Sequence, residues 1–571
     1  MKKKYILLLA IPVVVIAGYL YLRFALLKSK DFKPDHSKAK SIIDPGPELI
    51  AKLQQLVKDG SGSLYKLEVN RINVELSNAG ISMTGVLLLP DSNVLATLKQ
   101  KAQMPDDIFK IKADSLFIAG IGINGLLHKD QLDLKTISIS NPVIQIFHRS
   151  SGMPVNNSTT LFQKLSRQFK KISIKEILMQ HGTIINHDIL KNKINTIKDL
   201  SIRMNGLLID SSTQHDKSRF LFAKDAAITT KNYVARTADS LYFLKFGSVN
   251  ISTAANKMTL LNVSLEPRLS KQQFEAKLTT RKNLYHFSLP EIILSGINWW
   301  QLANGQSLVA KEAFVNKGTL KVFLDRSLPF GNLKQNNFPH QLLMRIPTPV
   351  YIPKTTLRHL NLIYSEYNPG FAKTGIIYLD DINGKLFNLT NMPQQIKLNH
   401  QMVFQSSGLF MHKALLQNNF RFDLSKYKTG NFTLTLEVGK LDSAILNPIT
   451  VPMAEFMFKK GIINKGTVYL EGDNSKATGK GILLYNDLNL VGLKMDKDEP
   501  GKLKKKAVLS FIGNLLLIKN SNPSKGDPPR QADVIYNRTG TQTFFSLIWK
   551  TIFTGILKII GLPAGFTNKP Y

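Results

Sequence analysis

The residue types that could do chemistry are present in the chain, but their spacing does not assemble a site. Gly120-Ile-Gly-Ile-Asn-Gly125 matches G-x-G-x-x-G. A dinucleotide site needs that pattern to open a helix, whose N-terminus meets the pyrophosphate. Here the residues after it, 126–139, read as strands, and Gln145 stands where an acidic residue should hold the ribose. The pattern therefore predicts a glycine-rich strand corner. His181 and His187 lack the intervening glutamate of H-E-x-x-H, and His148, His286, His340, His359 and His412 stand singly among strands and turns. Asp380-Asp381 precedes Ile382-Asn383-Gly384 and reads as a turn. No G-x-S-x-G, Walker A or EF-hand pattern occurs. The absence of cysteine excludes disulfides, thiol catalysis and cysteine-bound metals. The expectation is a protein that is not an enzyme, with no catalytic residue, metal or cofactor.

The elements that would position such residues start with a membrane anchor. Lys2, Lys3 and Lys4 precede an apolar run, 5–27, interrupted only by Arg23. Ile6, Leu7, Leu8, Leu9, Val13, Val14, Val15, Ile16 and Leu20 form its body. As a helix it would be ~34 Å long, enough for a hydrocarbon core of about 30 Å. It is longer than a signal-peptide core and no small-x-small site follows, so an uncleaved anchor is expected. Basic residues flank both ends, and the charge count leaves orientation open.

The 571 residues exceed one ordinary core, and the formal charge of +35 is spread along the chain. A spread basic excess suits an anionic lipid surface. No basic helix or zinc spacing supports nucleic acid. Leu49, Ile50, Leu53, Leu56 and Val57 make one helical stripe, and residues 93–103 and 159–169 read as further short helices. Elsewhere short strands recur between turn signals. The cleanest is Phe432, Leu434, Leu436 and Val438, alternating with Thr433, Thr435 and Glu437. No fixed-length repeat is visible. Residues 543–562 read as an apolar helix carrying Phe544, Phe545, Trp549, Ile552 and Phe553, placed to pack on the sheet, cap it or touch a membrane. The expected division is an anchor at 1–30, a spacer with a short helix at 31–62, an N-terminal β module at 63–158, a β-rich body at 159–540, and the apolar helix and tail at 541–571.

In this order of elements the chain resembles the AsmA-like envelope proteins of Gram-negative bacteria. The resemblance rests on the anchor, on Asp130-Gln-Leu-Asp-Leu-Lys-Thr-Ile-Ser-Ile-Ser-Asn-Pro-Val-Ile-Gln-Ile146, on Lys171-Ile-Ser-Ile-Lys-Glu-Ile-Leu-Met179, on Phe456-Met-Phe-Lys-Lys-Gly461 and on Gly479-Lys-Gly-Ile-Leu-Leu-Tyr-Asn-Asp-Leu488. It covers both ends, and the middle matches only in texture. It implies a mainly β fold, an elongated, curled antiparallel sheet with an apolar inner face, anchored in the inner membrane with its bulk in the periplasm. It also implies phospholipid as partner, contact with the inner and the outer membrane, and a role in lipid transport or outer-membrane biogenesis. Phe432, Leu434, Leu436 and Val438 would line the lipid groove. The alternative from alternation alone is a closed β-sandwich scaffold without lipid.

Overall fold

The computed structural model describes residues 46–562 except 76–78, 122–130, 150–169, 191, 214–215, 217, 238–239, 304–305, 330–336, 455, 497–502, 506–518 and 539–541. The expected anchor, the expected helix at 159–169 and most of the glycine pattern at 120–125 lie outside these residues. Among the described residues no helix is long and apolar enough to cross a membrane. The fold is mainly β, 59% strand and 16% helix, with a mixed sheet and a few short helices. The chain divides into two units, the first Met1–Tyr233, Phe246–Leu260 and Ile297–Gln306, the second Val234–Lys245, Leu261–Gly296 and Ser307–Tyr571.

The first unit opens with α1 (Gly46–Gly60), whose Leu53 and Val57 are buried. Its strands are β1 (Tyr65–Glu68), β2 (Arg71–Glu75), β3 (Gly80–Pro90), β4 (Asp107–Ala119), β5 (Gln131–Ser140), β6 (Val143–His148), β7 (Lys171–Asp188), β8 (Lys193–Ile209) and most of β9 (Asp225–Arg236). Helix α2 (Ser92–Gln100) follows β3, capped by the Asp91 carboxylate. Alternation sets the core: Leu132, Leu134, Ile137 and Ile139 of β5 and Ile172, Ile174, Ile177 and Met179 of β7 are all buried. The strands β10 (Tyr242–Ser252) and β11 (Lys257–Pro267) each contribute to both units.

The second unit holds α3 (Lys271–Ala276), β12 (Leu284–Ser295), β13 (Leu308–Val309), β14 (Glu312–Asp325), β15 (Val350–Asn368), β16 (Lys373–Thr390), β17 (Gln401–Phe410), β18 (Ala414–Asp423), β19 (Phe432–Val438), β20 (Leu441–Asp442), β21 (Phe456–Gly472), β22 (Lys476–Met495), β23 (Leu503–Lys505) and β24 (Gln531–Asn537). The first unit also takes α4 (Trp299–Ala303), and the second α5 (Pro339–Met344), α6 (Pro393–Leu398), α7 (Asn447–Ala454) and α8 (Phe544–Ile560).

The sheet is not antiparallel throughout, as the resemblance implied. β5 and β6 both run parallel to β7, and β13 and β14 both run parallel to β15. Each parallel pair needs a crossover that returns the chain to its starting end. Such connections look like ordinary loops in the sequence. The expected turn at Asp380-Asp381 is also corrected: β16 continues through it, with a bulge between Asp380 and Asn383.

A local device recurs in both units. In the first, Asn141 (φ 49°) at the break between β5 and β6, His181 (φ 52°) on β7 and Asp199 (φ 49°) on β8 are neighbours in left-handed backbone, and His181 Nδ1 meets Asp199 Oδ1 at 2.8 Å. In the second, Lys317 (φ 60°), His359 (φ 54°) and Asp381 (φ 47°) repeat it, with His359 Nδ1 and Asp381 Oδ1 2.6 Å apart. The ladders shift register there, at Met179/Gly182 and at Leu357/Leu360. Such bulges bend strands and increase their twist. Asn, Asp and His tolerate this backbone better than most side chains, and the ring–carboxylate contacts fix it.

Candidate functional site

The inner face of the second unit is built from rows of residues opposite one another in register. One row runs Leu386, Phe404, Phe420, Leu434, Leu470, Gly479 and Val534 across β16, β17, β18, β19, β21, β22 and β24. The next runs Phe422, Phe432, Gly472, Ala477 and Tyr536. Period-two alternation in each strand puts these side chains on one face and Thr433, Thr435 and Glu471 on the other.

Helix α8 lies on this face. Thr543 caps its start, accepting from the Ser546 amide, and Gly561 (φ 88°) ends it. The Phe544 ring sits 5.1 Å from Phe338, 5.2 Å from Phe432, and 5.7 Å from both Phe420 and Phe422. Gly555 packs tightly against β24, since a Cβ there would lie 2.8 Å from Val534 Cγ2. Consequently Phe432 and Leu434 are 3% and 0% exposed, sealed by the chain's own helix, whereas Leu436 and Val438 are half-buried at its margin. Phe544 is buried, and Phe545, Trp549, Ile552 and Phe553 form a half-buried stripe on a second face of the helix. Phe553 stacks on Phe456 at 6.0 Å.

Away from α8 the same face is less covered. Phe287, Leu320, Leu362 and Leu379 are cross-strand neighbours on β12, β14, β15 and β16, and all four are half-buried. Next to them Tyr285, Val322, Tyr364 and Ile377 form a parallel row.

A buried ionic cluster joins α8 to this wall. Glu366 is 1% exposed, and its Oε1 lies 3.5 Å from Arg326 Nε. The Tyr364 hydroxyl donates to its Oε2 at 2.8 Å. Burial, followed by the Glu366 charge, pushes the Tyr364 phenol well above its usual range. Arg281 donates Nε to the Leu328 carbonyl and Nη2 to the Arg326 carbonyl, at 2.5 and 2.6 Å. Burial pulls the Lys550 ammonium of α8 downward. Glu366 opposes that shift, and the Arg326 and Arg281 guanidiniums reinforce it. Glu366 pairs with Arg326, and its charge also acts on Arg281 and Lys550. The arrangement holds the helix in place and offers no nucleophile paired with a base.

The opposite face carries a polar cavity of about 380 Å³ lined by Gln401, Arg421, Thr433, Glu471 and Lys476 among others, with neither histidine nor serine in its lining. Among the described residues no group of three or more His, Asp or Glu side chains converges as a metal site. Several of the histidines are not solitary as the sequence suggested: His148 pairs with Asp107 and His412 with Asp380, each at 2.7 Å. These partners are 41 and 32 residues apart in the chain, so spacing could not reveal them. No family model matches the chain, and no curated protein matches it.

Proposed function

We propose that this is a membrane-anchored envelope protein, anchored by residues 5–27 in the inner membrane with its bulk in the periplasm, that handles phospholipid along the apolar inner face of its second unit. The AsmA-like resemblance supports this reading. The observation that carries it is the half-buried row Phe287, Leu320, Leu362 and Leu379, an apolar strip crossing four strands. Each acyl methylene shielded there gains roughly 0.8 kcal/mol, and the reading calls for no catalytic group. Phospholipid should co-purify with the protein under gentle extraction and be detected by mass spectrometry. Leu362→Asp with Leu379→Asp should deplete it, because a carboxylate is poorly solvated among acyl chains.

One observation favours a second reading. Helix α8 already seals Phe432 and Leu434, as in a filled core. A scaffold for envelope assembly without lipid cargo would be built this way throughout. Lipid-free protein after gentle extraction would select that scaffold and remove the lipid role.

A further inference from the structure

At one end of the second unit, α5 with its following residues to 349, α6 with its flanks at 391–400, and the 424–430 turn form a single platform. Asn391 Nδ2 donates to the carbonyls of Ile346 and Thr348, at 2.9 and 3.1 Å. The Leu424 amide donates to the His400 carbonyl at 2.8 Å, and Gln341 Nε2 donates to the Tyr427 carbonyl at 2.7 Å. These bonds hold short segments that are far apart in sequence in one arrangement.

The platform's surface has an unusual composition. Leu342, Ile346 and Leu398 are 46%, 45% and 81% exposed. Beside them Arg345, Lys397, Lys426 and Lys428 are exposed, and residues 339–349, 391–400 and 424–430 contain no aspartate or glutamate. The adjoining carboxylates, Asp423 and Asp473, are half-buried and occupied by the amides of their own turns. Asp423 accepts from the amides of Ser425 and Lys426, and Asp473 from those of Ser475 and Lys476. Exposed aliphatics ringed by cations of one sign match the chemistry of an interfacial membrane contact, apolar groups entering the acyl boundary while lysines meet anionic headgroups. Protein–protein interfaces are depleted in lysine relative to the rest of the surface, whereas three of these four cations are lysines.

We infer that this platform docks on an anionic phospholipid bilayer, with Leu342, Ile346 and Leu398 entering the interface. The inference stands apart from lipid carriage on the inner face, since a lipid-free preparation would overturn that reading and leave this one intact. The chain has no cysteine, so single labelling sites are clean. A polarity-sensitive fluorophore is attached to full-length Ile346→Cys, Leu398→Cys and, as a control on β12 outside the platform, Ser288→Cys. Vesicles of phosphatidylcholine with about 30% phosphatidylglycerol should raise and blue-shift emission about twofold at 346 and 398, but not at 288. Lys397→Glu with Lys428→Glu should raise the vesicle concentration for half-response roughly tenfold, and added salt should do the same. Because the readout is local, attachment by the N-terminal apolar run would not imitate it. No change at 346 and 398, an equal change at 288, or an equal response to pure phosphatidylcholine would each overturn the inference.

Discussion

Burial holds His340 neutral. Its ring packs 5.1 Å from Phe422 and 6.2 Å from Phe338, neither ring nitrogen has a hydrogen-bond partner, and its pKa falls from 6.5 to about 4, with the Asp423 charge opposing the shift. An unfolded chain takes up that proton near pH 6.5, so the stability tied to the neutral ring is present above 6.5 and lost as pH falls toward 4. The full effect is on the order of 3 kcal/mol. Denaturant midpoints should fall across that window, and His340→Leu should flatten that part of the profile. Glu366→Gln should be costlier at neutral pH, about 3–5 kcal/mol by chemical denaturation, because Arg281, Arg326 and Lys550 lose their shared counter-charge. Neither residue stands out in the sequence. Burial is decided by partners more than 50 residues away, Phe422 for His340 and Trp549 beside Tyr364 for Glu366. One local signal is legible: of the eight Asp-x-Ser triplets in the chain, those at Asp210, Asp216, Asp325, Asp423 and Asp473 form the same turn. Each carboxylate accepts from the serine amide and hydroxyl to close a turn.

The pairing of α8 with the sheet accounts for much of the second unit's core. Leu434 is fully buried in the row that α8 covers, so Leu434→Ala should cost about 2–5 kcal/mol in equilibrium unfolding. Gly555→Leu should lift the helix off β24, lowering the melting temperature, and Val534→Ala should restore part of the loss, since Val534 is the atom group a new side chain meets. Little change in either single variant would mean that the helix is not bound as described. Alternation made Phe432–Val438 recognisable as a strand with one apolar face. It could not say what covers that face, because an apolar helix fits a core, a trough or an interface equally well.

At the scale of the whole chain, strand spacing made the β class legible, whereas the parallel ladders and the repeated device were not. The paired His and Asp are 18 residues apart in one unit and 22 in the other, so no fixed period exists to be found. The side of the membrane is also a property of the whole chain. If residues 5–27 anchor the protein with its bulk in the periplasm, a reporter active only in the cytoplasm and fused after Tyr571 should stay silent, and activity there would reverse the assigned topology.

The left-handed residues on adjacent strands have a consequence for how this sequence can drift. They form a crease, and a crease constrains positions that face solvent. His181 and His359 have side chains 70% and 55% exposed, so burial alone would allow almost any residue there. Backbone at positive φ would not: valine or isoleucine at His181, Asp199, His359 or Asp381 should each cost ~1–3 kcal/mol, whereas glycine or asparagine should be tolerated. A saturation library scored for folded protein would then show two narrow bands of intolerance on the outside of the molecule, specific to β-branched residues and indifferent to polarity.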